Sequence, residues 1–354
     1  MEKPSTRRLI ELGLVAAATL LALSSAAQAQ SEATQISEQL DAILEEAEDL
    51  DPLETVIVAR DGDILVERGY GGSSVTDPTN IKSASKTIIS ALVGIAIDRG
   101  ILEGVDQPIT PILEDELPDD PDPRIQDITI GHLLSMQAGL EPTSGGNYGR
   151  WVASSNWVRF ALSQPFVDVP GGAMQYSTGS SHLLSAILTE ESGQSTLALA
   201  REWLAVEDFS IAGWERDPQG IYLGGNQMAM SPRSLLAFGE VYRNGGLSPD
   251  GDRIIPEQWI AASWEPRTES RFSGDGYGYA WFIRTIAEED VRYAWGYGGQ
   301  MLYIVPHLDL TVVMTSDENS PSASTGHRDD LHDLLGQIIS AVRQADNQNN
   351  PPGD

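Results

Sequence analysis

The sequence predicts an α+β fold: an antiparallel sheet flanked by N- and C-terminal helices and assembled from both ends of the chain, with an all-helical domain inserted between them. Three observations carry that expectation. Two apolar or alternating runs joined by Asp61-Gly62 lie near the start, short aromatic and β-branched runs return only after residue 276, and helical spacings broken by Gly/Pro loops fill the middle. The chain has 354 residues, 41% of them hydrophobic, enough for one large domain or two intimate ones with a buried core. The expected division is a sheet domain from 30–82 plus 266–346, a helical insertion at 83–265, a leader at 1–29 and a disordered tail at 347–354.

The leader comes first. Lys3, Arg7 and Arg8 precede an apolar run from Leu12 to Leu23, and Ala27-Gln28-Ala29 supplies small residues of the kind a signal peptidase reads. The run is short for a bilayer span, so a periplasmic or secreted protein without a membrane anchor is expected. Ile36, Leu40, Ile43, Leu44 and Ala47 then recur at helical spacing, and Glu54–Arg60 and Asp63–Arg68 read as a hairpin across Asp61-Gly62. Thr87 to Ala96 carries a helix that stops at Arg99-Gly100. Glu114 to Asp122, dense in Asp, Glu and Pro, reads as a solvated loop. Further helices are expected at Ile130–Ala138, Ser181–Ser192 and Pro232–Arg243, the last capped by Ser231. Strands are expected at Tyr277–Arg284, Val291–Trp295, Met301–Val305 and Leu310–Thr315, before a closing helix at His327–Val342 and a polar tail from Asn347.

Composition removes several classes of function. With no cysteine there is no disulfide, thiolate nucleophile or Cys-based metal site. A net charge of -30 and a pI near 4.3 argue against nucleic acid as a partner, favour a monomer through self-repulsion, and fit an acidic surface kept soluble at high salt. His327 and His332, with Asp329, Asp330 and Asp333, do not converge on one helix face, so no metal is expected; nor is any cofactor. His132 and His182, each near the start of a predicted helix, read as structural, and Trp214, Trp259 and Trp281 as core. No Gly-x-Ser-x-Gly occurs.

Lysine occurs only at positions 3, 82 and 86. A desolvated lysine can lose its proton and an arginine cannot, so lysine retained at position 86 suits a site that needs a neutral amine; Lys82 points to another face and reads as surface or supporting. Ser83-Ala84-Ser85-Lys86 places a hydroxyl and an amine three residues apart at a helix start, where they share a face and the helix dipole disfavours the ammonium. That arrangement suits an activated serine beside its base, and taken alone it equally suits an ordinary helix start with a solvated lysine. Tyr176-Ser177-Thr178 follows some ninety residues on, and Gly296-Tyr297-Gly298-Gly299-Gln300 opens a C-terminal strand.

With these three motifs in order, the chain resembles the serine β-lactamase and penicillin-binding-protein superfamily, in its class C-like branch of esterases, peptidases and nylon-oligomer hydrolases. Ile128 to Leu140, Ser181 to Leu184 and Met230 to Arg233 add to the likeness, which spans about Glu54 to Val342. The resemblance implies Ser83 as an acyl-forming nucleophile, Lys86 and Tyr176 sharing the proton transfers, and the backbone amides of Ser83 and Gln300 as the oxyanion hole. Two departures bear on substrate. Thr178 stands where β-lactamases and peptidases have Asn, and Tyr297, Gly298 and Gly299 stand where they have Lys-Ser/Thr-Gly, so the groups that grip a penicillin's carboxylate are gone. Small-molecule esters or amides without that carboxylate are the expected substrates. Tyr148 and Trp151 are candidates for an aromatic substrate wall, with core packing the equal alternative, and Tyr297, Gly298 and Gly299 are further substrate-binding candidates. Alternatives are a β-lactamase or D-amino-acid peptidase of the same fold, and a non-catalytic binding or sensing homologue.

Overall fold

The computed structural model describes residues 36–349. The predicted signal peptide and the last five residues lie outside them. Helix α1 (36–46) leads into β1 (Leu53–Arg60) and β2 (Asp63–Gly69), then β3 (Thr79–Asn80) and α2 (Lys86–Asp98). The middle holds α3 (Ile130–Leu134), α4 (Tyr148–Val152), α5 (Trp157–Leu162), α6 (Thr178–Ser192), α7 (Thr196–Trp203), β4 (Gly213–Trp214), β5 (Met228–Met230), α8 (Pro232–Arg243) and α9 (Glu257–Ser263). The last third supplies β6 (Thr268–Glu269), β7 (Gly276–Tyr277), β8 (Phe282–Ile286), β9 (Glu289–Gly296), β10 (Gln300–Val305), β11 (Leu310–Ser316), α10 (Ser322–Thr325) and α11 (His327–Asn349).

The main sheet is antiparallel in every pairing, in the order β2-β1-β11-β10-β9-β8-β7-β6, so β1 from the start of the chain pairs with β11 near its end. Strand periodicity separates its faces. Val56, Val58, Met301, Tyr303, Val312 and Met314 pack on one side with Leu40 and Leu44 of α1 and with Leu331, Leu335, Ile338 and Val342 of α11. Ile57, Ala59, Leu302, Ile304 and Val313 pack on the other with α2 and α8. Helix α2 is buried from Lys86 through Ala96, which a helix apolar on all sides requires, and it forms the centre of the second layer.

Several expected elements are redrawn. The strand expected over Tyr277–Arg284 is two, β7 and β8, parted by a turn in which Ala280 has φ 69°. The helix expected over Ile130–Ala138 ends at Leu134, because Met136 turns left-handed (φ 62°). The middle region is not all-helical: β5 pairs with β3 on one side and β4 on the other in a small second sheet, strands of two or three residues that carry too little periodicity to read. Helix α8 falls in the span read as the insertion, yet it packs on β1, β10 and β11 as part of the sheet domain's cover. At the end, α11 runs on through Asn349, so the start of the tail expected to be disordered is helical.

With 52 acidic residues against 22 Lys and Arg, like-charge repulsion works against this compact state and salt screens it. Thermal melts are expected to rise as NaCl is raised from low to molar concentration, and a flat series would contradict a repulsion-limited fold.

Candidate active site

Strand β3 delivers the chain into the site. After Asn80, the Ile81 N–H donates to the Met228 carbonyl (2.9 Å), and Lys82–Ser85 form one 3-10 turn before α2 begins. Lys82 takes a left-handed φ of 50°, and its N–H donates to Asn80 Oδ1 (3.0 Å) while its carbonyl accepts from the Ser85 hydroxyl (2.7 Å). Ser83 was expected on the first turn of the α-helix, and the 3-10 turn is the refinement: its three residues per turn stack positions 83 and 86. Lys86 Nζ consequently donates to Ser83 Oγ at 3.0 Å.

Lys86 is 2% exposed, and its amine also reaches Thr178 Oγ1 (3.3 Å) and the Gly225 carbonyl (2.6 Å). Burial disfavours the ammonium and pushes its pKa down to about 7, so near neutral pH much of this lysine carries no charge. Tyr176 presents its ring to Lys86 Nζ, 5.2 Å from centroid. Its phenol is pushed up to about 12 by burial, with hydrogen bonding to Ser83 opposing the rise. Tyr176 is therefore a neutral phenol at physiological pH, and of the two Lys86 is the group able to take up a proton. Thr178 opens α6 and is tied to the 144 loop, its N–H donating to Ser144 Oγ (2.8 Å) with the two hydroxyls 3.1 Å apart. Ser144 and Gly225 were not legible in the sequence; the Gly224-Gly225 pair just ahead of β5 was the one available signal.

Ser83 opens on a cavity of about 1050 Å³, also lined by Lys82, Tyr176 and Thr178. Its walls are aromatic and polar: Tyr148, Phe272, Phe282, Trp295 and Tyr297 with Glu141, Asn226, Arg271 and Glu318. Lys82 reaches across the rim to Glu318 (3.7 Å). Tyr148 sits in the wall with Asn226 Nδ2 donating to its hydroxyl (2.9 Å). Trp151 does not face the cavity. It is wholly buried behind Tyr148, ring centroids 5.7 Å apart, and its indole N–H donates to the Trp157 carbonyl (2.9 Å), because position 151 falls on the inward side of α4.

The turn between β9 and β10 also departs from expectation. Tyr297 is half exposed on the cavity wall, whereas Gly298, Gly299 and Gln300 are not among the lining residues. Gln300 is fully buried, paired in the ladder with Gly296, and its amide donates to the Ser316 carbonyl on the far side (2.6 Å). Gly298 and Gly299, with φ of 90° and 105°, make the turn possible. The end of β9 lies against the approach to Ser83: a Cβ on Gly296 would stand 2.2 Å from the Ile81 carbonyl and 3.1 Å from Lys82 Cβ. The end of β9 at Gly296 thus borders the Ile81–Lys82 approach to Ser83, and Tyr297 follows it on the cavity wall. His132 completes a capping box with Thr129, His327 meets the Ser316 hydroxyl (2.9 Å) and His332 the Tyr303 hydroxyl (3.0 Å), so these histidines serve the scaffold.

Residues 52–337 match the family model described as Beta-lactamase. The chain belongs to the beta-lactamase family. It is 23% identical over 318 residues to a 6-aminohexanoate-dimer hydrolase of Paenarthrobacter ureafaciens, spanning 82% of this chain and 77% of that one. Among solved structures, a putative beta-lactamase from Bacteroides dorei superposes with a TM-score of 0.71 at 16% identity, covering 86% of this chain and 98% of that one. EstCE1, a hydrolase with promiscuous acyltransferase activity, superposes at 0.68 with 18% identity, covering 88% and 99%. The protein is thus a hydrolase of the beta-lactamase fold.

Proposed function

We propose that the protein is an exported serine hydrolase that cleaves small ester or amide substrates through an acyl-enzyme on Ser83. The observation that carries this reading is the buried Lys86 amine, its pKa lowered to about 7 by burial, 3.0 Å from a serine hydroxyl at the wall of a large cavity. Lys86 Nζ takes the Ser83 proton as Oγ bonds to the substrate carbonyl carbon. The developing oxyanion accepts from the N–H of Ser83 and from that of Tyr297, which replaces Gln300 in this role because it borders the cavity and Gln300 does not. Collapse breaks the C–O or C–N bond, and the neutral Tyr176 phenol relays the Lys86 proton to the leaving group. Water then repeats the sequence at the acyl carbon, with Lys86 as base and Ser83 as leaving group. Export rests on the basic, apolar and small-residue pattern of residues 1–29.

A penicillin-type carboxylate would meet Tyr297, Gly298 and Gly299 rather than a lysine and a hydroxyl. Turnover of p-nitrophenyl esters and anilides of short acids, set against a chromogenic cephalosporin, tests the substrate reading. Ester or anilide hydrolysis is expected to exceed cephalosporin hydrolysis by about 100-fold or more in kcat/KM, the scale on which losing a charged hydrogen-bond partner acts. Efficient cephalosporin turnover with no esterase or amidase activity would overturn it.

A further inference from the structure

Behind the site lies a buried ionisable pair with no part in the steps above. His182 on α6 and Asp217 in the loop after β4 are both fully buried, with His182 Nε2 3.0 Å from Asp217 Oδ2. The other carboxylate oxygen accepts the N–H groups of Gln219 (2.9 Å) and Ile221 (2.8 Å), which fixes Asp217 as an acceptor. On the far side of the imidazole, Nδ1 accepts the Gly224 N–H (3.4 Å). These partners assign the tautomer: Nε2 carries the proton towards Asp217, and Nδ1 is bare towards Gly224. The rings of Trp151 and Trp157 close the remaining sides edge-on, each 5.7 Å away.

The next residue, Gly225, accepts the 2.6 Å hydrogen bond from Lys86 Nζ. The backbone between them is clamped. A Cβ on Gly224 would stand 2.1 Å from the Ser181 carbonyl of α6, and one on Gly225, at φ 82°, would stand 2.4 Å from Lys86 Cγ. Thr178, the α6 residue that Lys86 Nζ reaches, lies one helical turn before His182 on the same face. The groups around the amine are then the Ser83 and Thr178 hydroxyls, the Tyr176 ring and the Gly225 carbonyl, and of these the carbonyl is the one that directly follows the Gly224 N–H held by His182.

We propose that His182 and Asp217 are positioning residues for the base: Asp217 fixes the His182 tautomer, His182 holds the Gly224 N–H, and the Gly225 carbonyl thereby aims Lys86 Nζ at Ser83. The carbonyl dipole also favours the protonated amine, so its loss leaves the buried lysine less basic. This inference rests on Lys86 acting as the base.

Asp217→Asn tests it with little change of shape. The asparagine oxygen still accepts from Gln219 and Ile221, but its NH2 group faces His182 Nε2, so the imidazole must turn its proton to Nδ1, against the Gly224 N–H. The expected result is a kcat about 10- to 100-fold lower with KM within about twofold, the scale of a misplaced catalytic group. The acid limb of the kcat/KM profile is expected to move to lower pH. His182→Asn, whose oxygen replaces Nδ1 as the acceptor for Gly224, should keep the wild-type limb, and His182→Gln, which retains only the donor to Asp217, should not. Wild-type kcat and profile in both Asp217→Asn and His182→Gln would overturn the proposal, whatever their melting temperatures. Nitrogen-15 NMR of the wild-type imidazole, independent of how any variant folds, should report Nε2–H; an Nδ1–H tautomer would equally overturn it. A wild-type profile with no acid limb near pH 7 would instead count against Lys86 as the base, so the two failures are separable.

Discussion

Ser83→Ala is expected to lower kcat by roughly 10⁴-fold or more while leaving the fold and the melting temperature nearly unchanged, since removing the nucleophile of a serine hydrolase leaves only binding and oxyanion stabilisation. The fold should tolerate the change because Ser83 sits partly exposed at the cavity wall, in a turn held by Asn80, Lys82 and Ser85 rather than by its own hydroxyl. Its partner is Lys86 Nζ, which keeps Thr178 and Gly225 when the hydroxyl is gone. Steady-state kinetics with an activated ester, alongside circular dichroism of both proteins, checks both halves. Activity within tenfold of wild type would remove Ser83 from the mechanism.

Lys86→Arg is expected to abolish turnover about as completely, although it preserves charge type and approximate length. A guanidinium cannot surrender its proton at any accessible pH, and the buried head-group site, closed by Ser83, Thr178 and the Gly225 carbonyl, is shaped around an amine. In the wild type, kcat/KM should fall about tenfold per pH unit below about 7, where the amine becomes protonated. The same group shapes stability, and the sign follows from its depressed folded pKa. Between about 7 and the ordinary lysine value of 10.5 the unfolded chain holds a proton that the folded chain lacks, so stability rises with pH through that window and the penalty is complete below about 7. Lys86→Met should show a smaller gain in melting temperature than wild type between pH 7 and pH 10. Equal gains would mean that the lysine is not desolvated.

The parts of this molecule that were legible in the sequence are those governed by local spacing. Ser231 and Pro232 announced α8 to the residue, the Asp61-Gly62 turn announced β1 and β2, and Ser83-x-x-Lys86 announced a hydroxyl beside an amine. What stayed hidden depends on contacts between distant segments. Nothing near Trp151 says that Trp157 and His182 bury it, and nothing near Gln300 says that its side chain reaches Ser316 instead of serving the cavity. The Tyr176 phenol illustrates the same limit: the motifs pair Lys86 with Tyr176 for the proton transfers, but only the fold supplies the burial that lowers the lysine's pKa and keeps the phenol protonated. His182 reads as structural from the sequence, and only the fold places it against the Gly224 N–H, one residue before the carbonyl that accepts from Lys86.

The most direct test of the central claim is intact-mass spectrometry of the purified protein after exposure to a small alkyl fluorophosphonate, with peptide mapping and the Ser83→Ala variant in parallel. One adduct per chain is expected, mapped to Ser83, absent in the variant and formed more slowly below pH 7 as Lys86 takes up its proton. An adduct that persists in Ser83→Ala, or a folded wild-type protein that stays unlabelled, would contradict an activated serine at this position.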